Sequence, residues 1–221
     1  YKINDNISWY ANWGQGFKLP SFFALGHPFV GNSDLVEETV TTTDTGFEYT
    51  RNLISSRIGI FNHKYHNLID YDGEENINVN RPPVKTNGVE AELNWQLLQN
   101  LHWRLHGSYA DIDMPNSETH LLGRPQATYG TTINYTPNDA WSFNLNYLRV
   151  DERFAVSRYT GSGVEEILSA YNRFDASAHW KLDSQIQLGL SLENLADENY
   201  YTDIGFPAAG RSAKINVKLN F

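Results

Sequence analysis

The sequence predicts an all-β fold, a transmembrane antiparallel β-barrel, of which this chain supplies about ten strands. Three observations predict it. The last eight residues, 214–221, alternate strictly: Ile215, Val217, Leu219 and Phe221 point one way, and Lys214, Asn216, Lys218 and Asn220 the other. A strand with one oily and one wet face fits a sheet between two media. Such segments recur along the chain, each near the ~9–11 residues that a strand needs to cross a bilayer. The connections between them alternate between short and long, a parity kept by outer-membrane barrels and not required of a soluble sandwich.

Taken in order, Ile7, Trp9, Ala11 and Trp13 form the first apolar face. A threonine-rich segment follows and ends on Phe47 and Tyr49. Residues 54–60 make a third, less regular strand. Val89, Ala91, Leu93 and Trp95 alternate with Glu90, Glu92, Asn94 and Gln96. Leu101, Trp103, Leu105 and Tyr109 alternate with His102, Arg104, His106 and Ser108. Residues 127–135 come next, then Trp141, Phe143, Leu145 and Tyr147. Phe174, Ala176, Ala178 and Trp180 oppose Arg173, Asp175, Ser177 and His179. Ile186, Leu188, Leu190 and Leu192 precede the terminal strand.

The short connections fall near residues 51–53, 99–100, 137–139 and 183–184, and the long ones over 14–37, 67–86, 111–125, 151–169 and 196–210. On this polarity the long loops are expected outside the cell and the C-terminus in the periplasm. Aromatic residues sort by strand end. Tyr49, Trp95, Trp103, Tyr135, Trp141, Trp180 and Phe221 fall at the periplasmic ends, and Trp13, Tyr109 and Tyr147 at the outer ends. Two such girdles are expected at the two membrane interfaces. A sandwich core has no reason to sort its aromatics in this way.

Composition narrows the function. A net charge of −9 argues against a nucleic-acid partner. With no cysteine there is neither a disulfide framework nor a thiolate metal site. No apolar run approaches the ~18 residues of a transmembrane helix, and a mean hydropathy of −0.51 does not separate a soluble protein from a barrel, because alternation lowers the average. The chain begins at Tyr1 and its one methionine is Met114, so a portion preceding it is expected.

In lipid every backbone donor and acceptor must be paired within the protein, so an open sheet edge is forbidden. Ten strands could close alone. The wet face, however, carries Arg57, Glu90, Glu92, Arg104 and Arg173, which a narrow barrel would have to pack and a wide lumen would hydrate. A segment of a larger barrel is the expectation.

Three motifs then resemble one family. GFKLPSFFALGHPFVGNSDL, residues 16–35, is similar to the G-F-[RK]-x-P-[ST] and N-P-[DN]-L boxes of TonB-dependent outer-membrane receptors, with Ser33 where proline is usual. ENLADENYYTDIGFPAAGR, residues 193–211, resembles the family's last loop. The terminal strand ending on Leu219 and Phe221 resembles the signal read by the barrel-assembly machinery, with Asn216 where glycine is commoner. The resemblance implies the last ten or so strands of a 22-stranded barrel, residues 1–221 being its C-terminal portion, with the plug domain, TonB box and early strands upstream. It also implies active uptake of a scarce nutrient energised through TonB, with a ferric siderophore first and haem or cobalamin as alternatives. The partners implied are outer-membrane lipid, the TonB complex and a small iron chelate. No resident cofactor is called for.

Candidate ligand-binding residues lie in the long loops. Lys18 stands at the basic position of the first motif, and His27 lies between its boxes, where haem receptors of the family carry an iron ligand. Arg153, Arg158 and Tyr159 could hold an anionic chelate through charge-assisted bonds and ring contacts. Tyr200, Tyr201 and Phe206 could cover an aromatic ligand. Pro20 and Phe22 are expected to shape the first loop. His63 and His66, three apart on a strand, point to opposite faces and chelate poorly. His102, His106 and His179 read as a hydrated wall. The acidic run DYDGEE, residues 70–75, lacks EF-hand spacing and reads as a solvated loop. An outer-membrane enzyme would need a serine–histidine or paired-acid constellation, and no local signature for one is present. A passive porin would lack the first two motifs.

Overall fold

The structure is a computed structural model, and it describes residues 1–115, 120–157 and 164–220. Phe221, Arg158 and Tyr159, named above, lie outside the described residues. In chain order the elements are β1 (Ile7–Lys18), α1 (Phe22–Gly26), β2 (Glu38–Arg51), β3 (Ile54–His66), β4 (Ile69–Asp72), β5 (Ile77–Asn80), β6 (Val84–Leu98), β7 (Leu101–Asp113) and β8 (Ala127–Asn138). There follow β9 (Trp141–Val150), β10 (Arg153–Val156), β11 (Glu165–Leu168), β12 (Tyr171–Lys181), β13 (Ile186–Glu193), β14 (Tyr201–Asp203), β15 (Phe206–Pro207) and β16 (Ser212–Leu219).

Ten strands form one antiparallel sheet in the order β1-β2-β3-β6-β7-β8-β9-β12-β13-β16, and they correspond one for one to the ten alternating segments. The remaining six form three hairpins, β4–β5, β10–β11 and β14–β15, inside long connections. The short turns are closed by local chemistry. Asn52 sits at φ 49° in the first. Asn138 Oδ1 accepts from the backbone N–H groups of Ala140 and Trp141, each at 3.0 Å. Asp183 Oδ1 accepts from Gln185 and Ile186 at 2.7 and 2.8 Å. These are Asx turns, in which a short polar side chain replaces a backbone acceptor.

The first strand differs from the expectation. It does not end near Trp13 but pairs with β2 from Ile7↔Tyr49 to Lys18↔Glu38. Gly14 and Gly16 do not break it, because their open sides are covered by Thr42 and Val40 side chains, 3.5 Å from where a Cβ would lie. Trp13 is therefore mid-strand, and Lys18 closes the strand rather than sitting in the loop.

Register fixes the tilt. One row of cross-strand partners runs Ile7, Tyr49, Ser56, Leu93, Leu105, Thr131, Tyr147, Phe174. The row lies near the short turn at Ser56 and, by Phe174, near the long-loop end of β12. The stagger is about one residue per strand. With ~3.4 Å per residue and ~4.8 Å between strands, it tilts the strands by roughly 35–40°, the range of membrane barrels.

Most sheet strands send a largely apolar row to a common face and a more polar row to the other; on β2 the common-face row is Thr39, Thr41, Thr43, Thr45, Phe47 and Tyr49. The apolar row is open: Ile58, Ile60, Ile215 and Val217 are more than half exposed. Stacked rings border it near the short turns: Trp95 with Trp103 at 6.2 Å between centroids, Trp141 with Trp180 at 5.2 Å, and Tyr135 with Phe143 at 6.4 Å. Two indole N–H groups on this face are satisfied within the sheet: Trp9 Nε1 donates to Thr45 Oγ1 at 2.8 Å, and Trp103 Nε1 to Thr131 Oγ1 at 2.6 Å. That pairing is what an environment without water demands.

The polar face is a network. Arg104 lies 3.0 Å from Glu92, Arg173 2.9 Å from Asp175 and Lys214 2.6 Å from Glu193. The Arg57 guanidinium covers the Tyr10 ring at 4.4 Å. The buried core does not lie on either face. Ala24, Leu35, Val84, Ala155, Val156 and Leu168 are all in the long connections or at the adjoining strand ends. The sheet is open, with β1 and β16 as its edges.

Candidate functional site

The long connections pack into one layer at one end of the sheet. Asn78 N donates to Val30 O at 2.9 Å, and Asn32 Nδ2 to Asn78 O at 2.9 Å, which ties the first loop to the β4–β5 hairpin. Val156 of β10 packs on Gly73 of that hairpin, where a Cβ would meet Val156 at 2.8 Å. Gly123 N donates to Phe154 O at 2.8 Å, joining the loop after β7 to β10. Arg153 Nη2 donates to the carbonyls of Tyr201 and Thr202, both at 3.0 Å, joining β10 to the last loop.

Within this layer the loop after β7 and the β10–β11 hairpin enclose a pocket of about 640 Å³. Its wall carries Arg124, Arg149, Arg153, His120 and Phe154, with Asp151 and Glu152 beside them. The His120 ring lies flat on Phe154, 3.6 Å between centroids and 9° apart. His120 Nδ1 is 2.7 Å from Glu165 Oε2, and its backbone N–H donates to Glu165 Oε1 at 2.8 Å. Arg149 is 3.5 Å from Asp151. Among the described residues Arg153 Nη1, which is buried, has no hydrogen-bond partner. A mixed wall of guanidinium, carboxylate and ring suits a ligand with both charge and flat surface.

The sequence-derived candidates are scattered over this layer. Arg153 lines the pocket and touches Tyr201, so those two are brought together. Tyr200 instead stacks on Tyr171, 4.0 Å between centroids, and packs its loop against β12. Lys18 Nζ is 3.1 Å from Glu38 Oε2, an oxygen that also accepts from Ile69 N at 3.1 Å. It is thus engaged as an anchor of β1 on β2. His27 follows α1, and its Nδ1 accepts from the backbone N–H groups of Phe29 and Val30, both at 3.3 Å. Those bonds hold the ring against its own loop.

Only part of the acidic run is a solvated loop: Glu74 and Glu75 are exposed in the turn, whereas Asp70 and Asp72 lie on β4 of the β4–β5 hairpin and are clamped by Arg81, which is 7% exposed. Arg81 Nε donates to Asp70 at 3.1 Å, Nη1 to Asp72 at 2.9 Å and Nη2 to the Tyr71 carbonyl at 3.1 Å. Among the described residues no group of three or more histidines, cysteines or carboxylates could hold a metal ion. Sequence reasoning also missed His120, Phe154 and Glu165. The contacts of His120 with the other two span more than thirty positions, and no local pattern announces them.

The family model described as TonB dependent receptor-like, beta-barrel, matches residues 1–195. The chain belongs to the TonB-dependent receptor β-barrel family.

Among curated relatives of this receptor chain, the vitamin B12 transporter BtuB of Vibrio vulnificus (strain YJ016) is 24% identical over 90% of the chain and 32% of its own length. That of Vibrio cholerae serotype O1 (strain M66-2) is 26% identical over 96% and 34%. Among solved structures, the ferric-catecholate import receptor Fiu from Escherichia coli K12 aligns with a TM-score of 0.80 at 15% identity, over all of this chain and 34% of its own. The copper transporter OprC aligns at 0.81 and 17% identity, over all of this chain and 39% of its own. The TonB-dependent receptor chain thus spans about a third of the relatives that it matches. They are transporters and receptors, not enzymes, and the ten strands superpose on outer-membrane barrels of this family.

Proposed function

We propose that the chain is the C-terminal portion of the barrel in an outer-membrane receptor that takes up a scarce nutrient with energy delivered through TonB. The observation that carries this reading is the pairing of a two-faced, tilted ten-stranded sheet with one layer of interlocked long loops at a single end. In this reading the loop layer faces outside, and the short turns and residue 221 face the periplasm. The plug, TonB box and early strands belong to sequence upstream. The terminal strand with Leu219 and Phe221 serves the barrel-assembly machinery. Trp95, Tyr135, Trp141 and Trp180 lie in the membrane girdle near the short turns, and Trp13, mid-strand in β1, faces lipid between the girdles.

A ferric siderophore is the cargo that we propose. The pocket at Arg153 and Phe154 offers cationic and flat groups to an anionic chelate. Arg158, Tyr159 and Tyr201 are proposed to contact it, and Lys18 and Tyr200 to hold the loops that frame it. Cobalamin is a second reading, favoured by the Vibrio relatives whose names carry vitamin B12. A deletion strain complemented with the full-length receptor separates the two. Uptake of labelled ferric siderophore restored by wild type and lost with Arg153→Ala supports the first. Restoration of labelled cobalamin uptake alone supports the second. Equal uptake in the deletion and complemented strains for both cargoes defeats the transport reading.

A further inference from the structure

The loop that follows β1 carries no aspartate, glutamate, lysine or arginine over residues 19–33, although 19% of the chain is charged. It presents three phenylalanines to water: Phe22 is 95% exposed, Phe23 61% and Phe29 80%. The rings do not sit on a slack segment. Ser21 Oγ caps α1 by accepting from Ala24 N at 3.0 Å. The backbone N–H groups of His27, Gly31 and Asn32 donate to the carbonyls of Phe23, His27 and Ala24 at 3.1, 2.8 and 2.7 Å. The His27 ring joins Phe23 and Phe29, with centroids 4.5 and 6.0 Å away. Residues 30–36 separate this cluster from the β4–β5 hairpin. Asn32 N bonds Ala24 O on one side, and Asn32 Nδ2 bonds Asn78 O on the other at 2.9 Å. The hairpin therefore covers the far side of the loop and leaves the three rings open.

Three rings at these exposures leave on the order of 400 Å² of apolar surface open, the size at which a patch marks an interaction site. Depletion of charge and enrichment in phenylalanine are the composition of the centre of a protein–protein contact. Lipid does not reach the patch in the proposed arrangement, because β1 already spends 12 residues on the crossing and the loop rises beyond its outer end. The sheet indicates the partner. β1 is its free edge, and an edge in lipid must be paired. A strand antiparallel to β1 enters that pairing from the outer side, so the long loop leading into it rises next to residues 19–29. This chain spans 32% and 34% of the two Vibrio transporters, so the greater part of a receptor of their length is chain other than this. We propose that Phe22, Phe23 and Phe29 are the seat of the long outer loop that leads into the strand pairing with β1, a segment upstream of this chain. The rings join the two parts of the barrel above the membrane, where strand pairing no longer does so. The inference rests on the reading that this chain is the C-terminal portion of a barrel with its long loops outside.

The test uses the full-length receptor in intact cells, with the photoreactive p-benzoyl-phenylalanine in place of Phe22 or of Phe29, one at a time. Ultraviolet light should give a cross-link within a single receptor molecule. Mass spectrometry of the digest should place it in the upstream loop, equally with and without cargo. A second variant, Phe22→Ser with Phe29→Ser, should raise protease cleavage of that loop at least tenfold and leave the β4–β5 hairpin at the wild-type level. Cross-linking between two receptor molecules would make the rings a contact between copies and overturn the proposal. Cross-linking to lipid, or to siderophore or cobalamin at the expense of the internal product, overturns it as well. So does the absence of an internal cross-link at both positions, which leaves a bare surface. Cargo uptake and recovery of the receptor in the outer-membrane fraction are measured on the same cells. Normal values of both beside a failed cross-link defeat this inference alone. Absence of the wild-type receptor from that fraction defeats the reading on which it rests.

Discussion

The Phe61 ring lies across Gly88 on the neighbouring strand, so closely that a Cβ added to Gly88 would meet the ring at 2.2 Å. The same device recurs on the polar face, with Tyr10 over Gly46 and Gly59, His106 over Gly130 and His179 over Gly189. A ring seated over a glycine fills the space left by the missing side chain and pins the register of two strands. Gly88→Ala should therefore lower barrel stability by about 1–3 kcal/mol through overpacking. Adding Phe61→Ala should recover only part of the loss, since the Tyr109 carbonyl also lies within 2.4 Å of that Cβ. Heat-dependent gel mobility of the folded receptor measures both.

Arg81→Ala removes the clamp on Asp70 and Asp72 and leaves two carboxylates facing each other in a half-buried hairpin. Breaking a buried pair from one side costs about 3–5 kcal/mol. The loss should be local: amides of β4 and β5 should exchange at least a hundredfold faster, while β7 and β8 keep their protection.

His120→Ala deletes a ring stack on Phe154 and a side-chain hydrogen bond to Glu165 that hold the loop after β7 on the β10–β11 hairpin. The stack is worth about 0.5–1.5 kcal/mol. Protease cleavage near residues 115–125 should rise several-fold, and Phe154→Leu should give a smaller effect in the same direction.

The Arg104–Glu92 pair should matter little. Both side chains are more than a third exposed, and such pairs contribute about 0.2–1 kcal/mol, less in high salt. Glu92→Gln should leave the unfolding temperature nearly unchanged.

Strand number, facing and loop parity were legible because alternation is a local signal with a period of two. Trp95 with Trp103 and Trp141 with Trp180 fall on one face for that reason alone. The length of β1 was not legible: Gly14 and Gly16 read as a loop start, and only Thr42 and Val40 across the ladder reveal why the strand continues. The site was the least legible part. Arg153 was recognised as a loop arginine, but its bonds to the carbonyls of Tyr201 and Thr202 depend on two loops meeting in space. Asp70 and Asp72 looked solvated because their partner Arg81 lies beyond the turn of the hairpin that they themselves build.

In the proposed arrangement this chain crosses the outer membrane with its long loops outside. Residues 1–221 contain no cysteine, so a thiol introduced among them has no native competitor within this chain. Asp203→Cys, in the exposed β14–β15 hairpin, and Ser184→Cys, in a short turn, should be placed singly in the full-length receptor. Treating intact cells with a membrane-impermeant maleimide should label position 203 and spare position 184 until the outer membrane is opened. Labelling of position 184 alone in intact cells, or recovery of the receptor in the soluble fraction, would contradict the account.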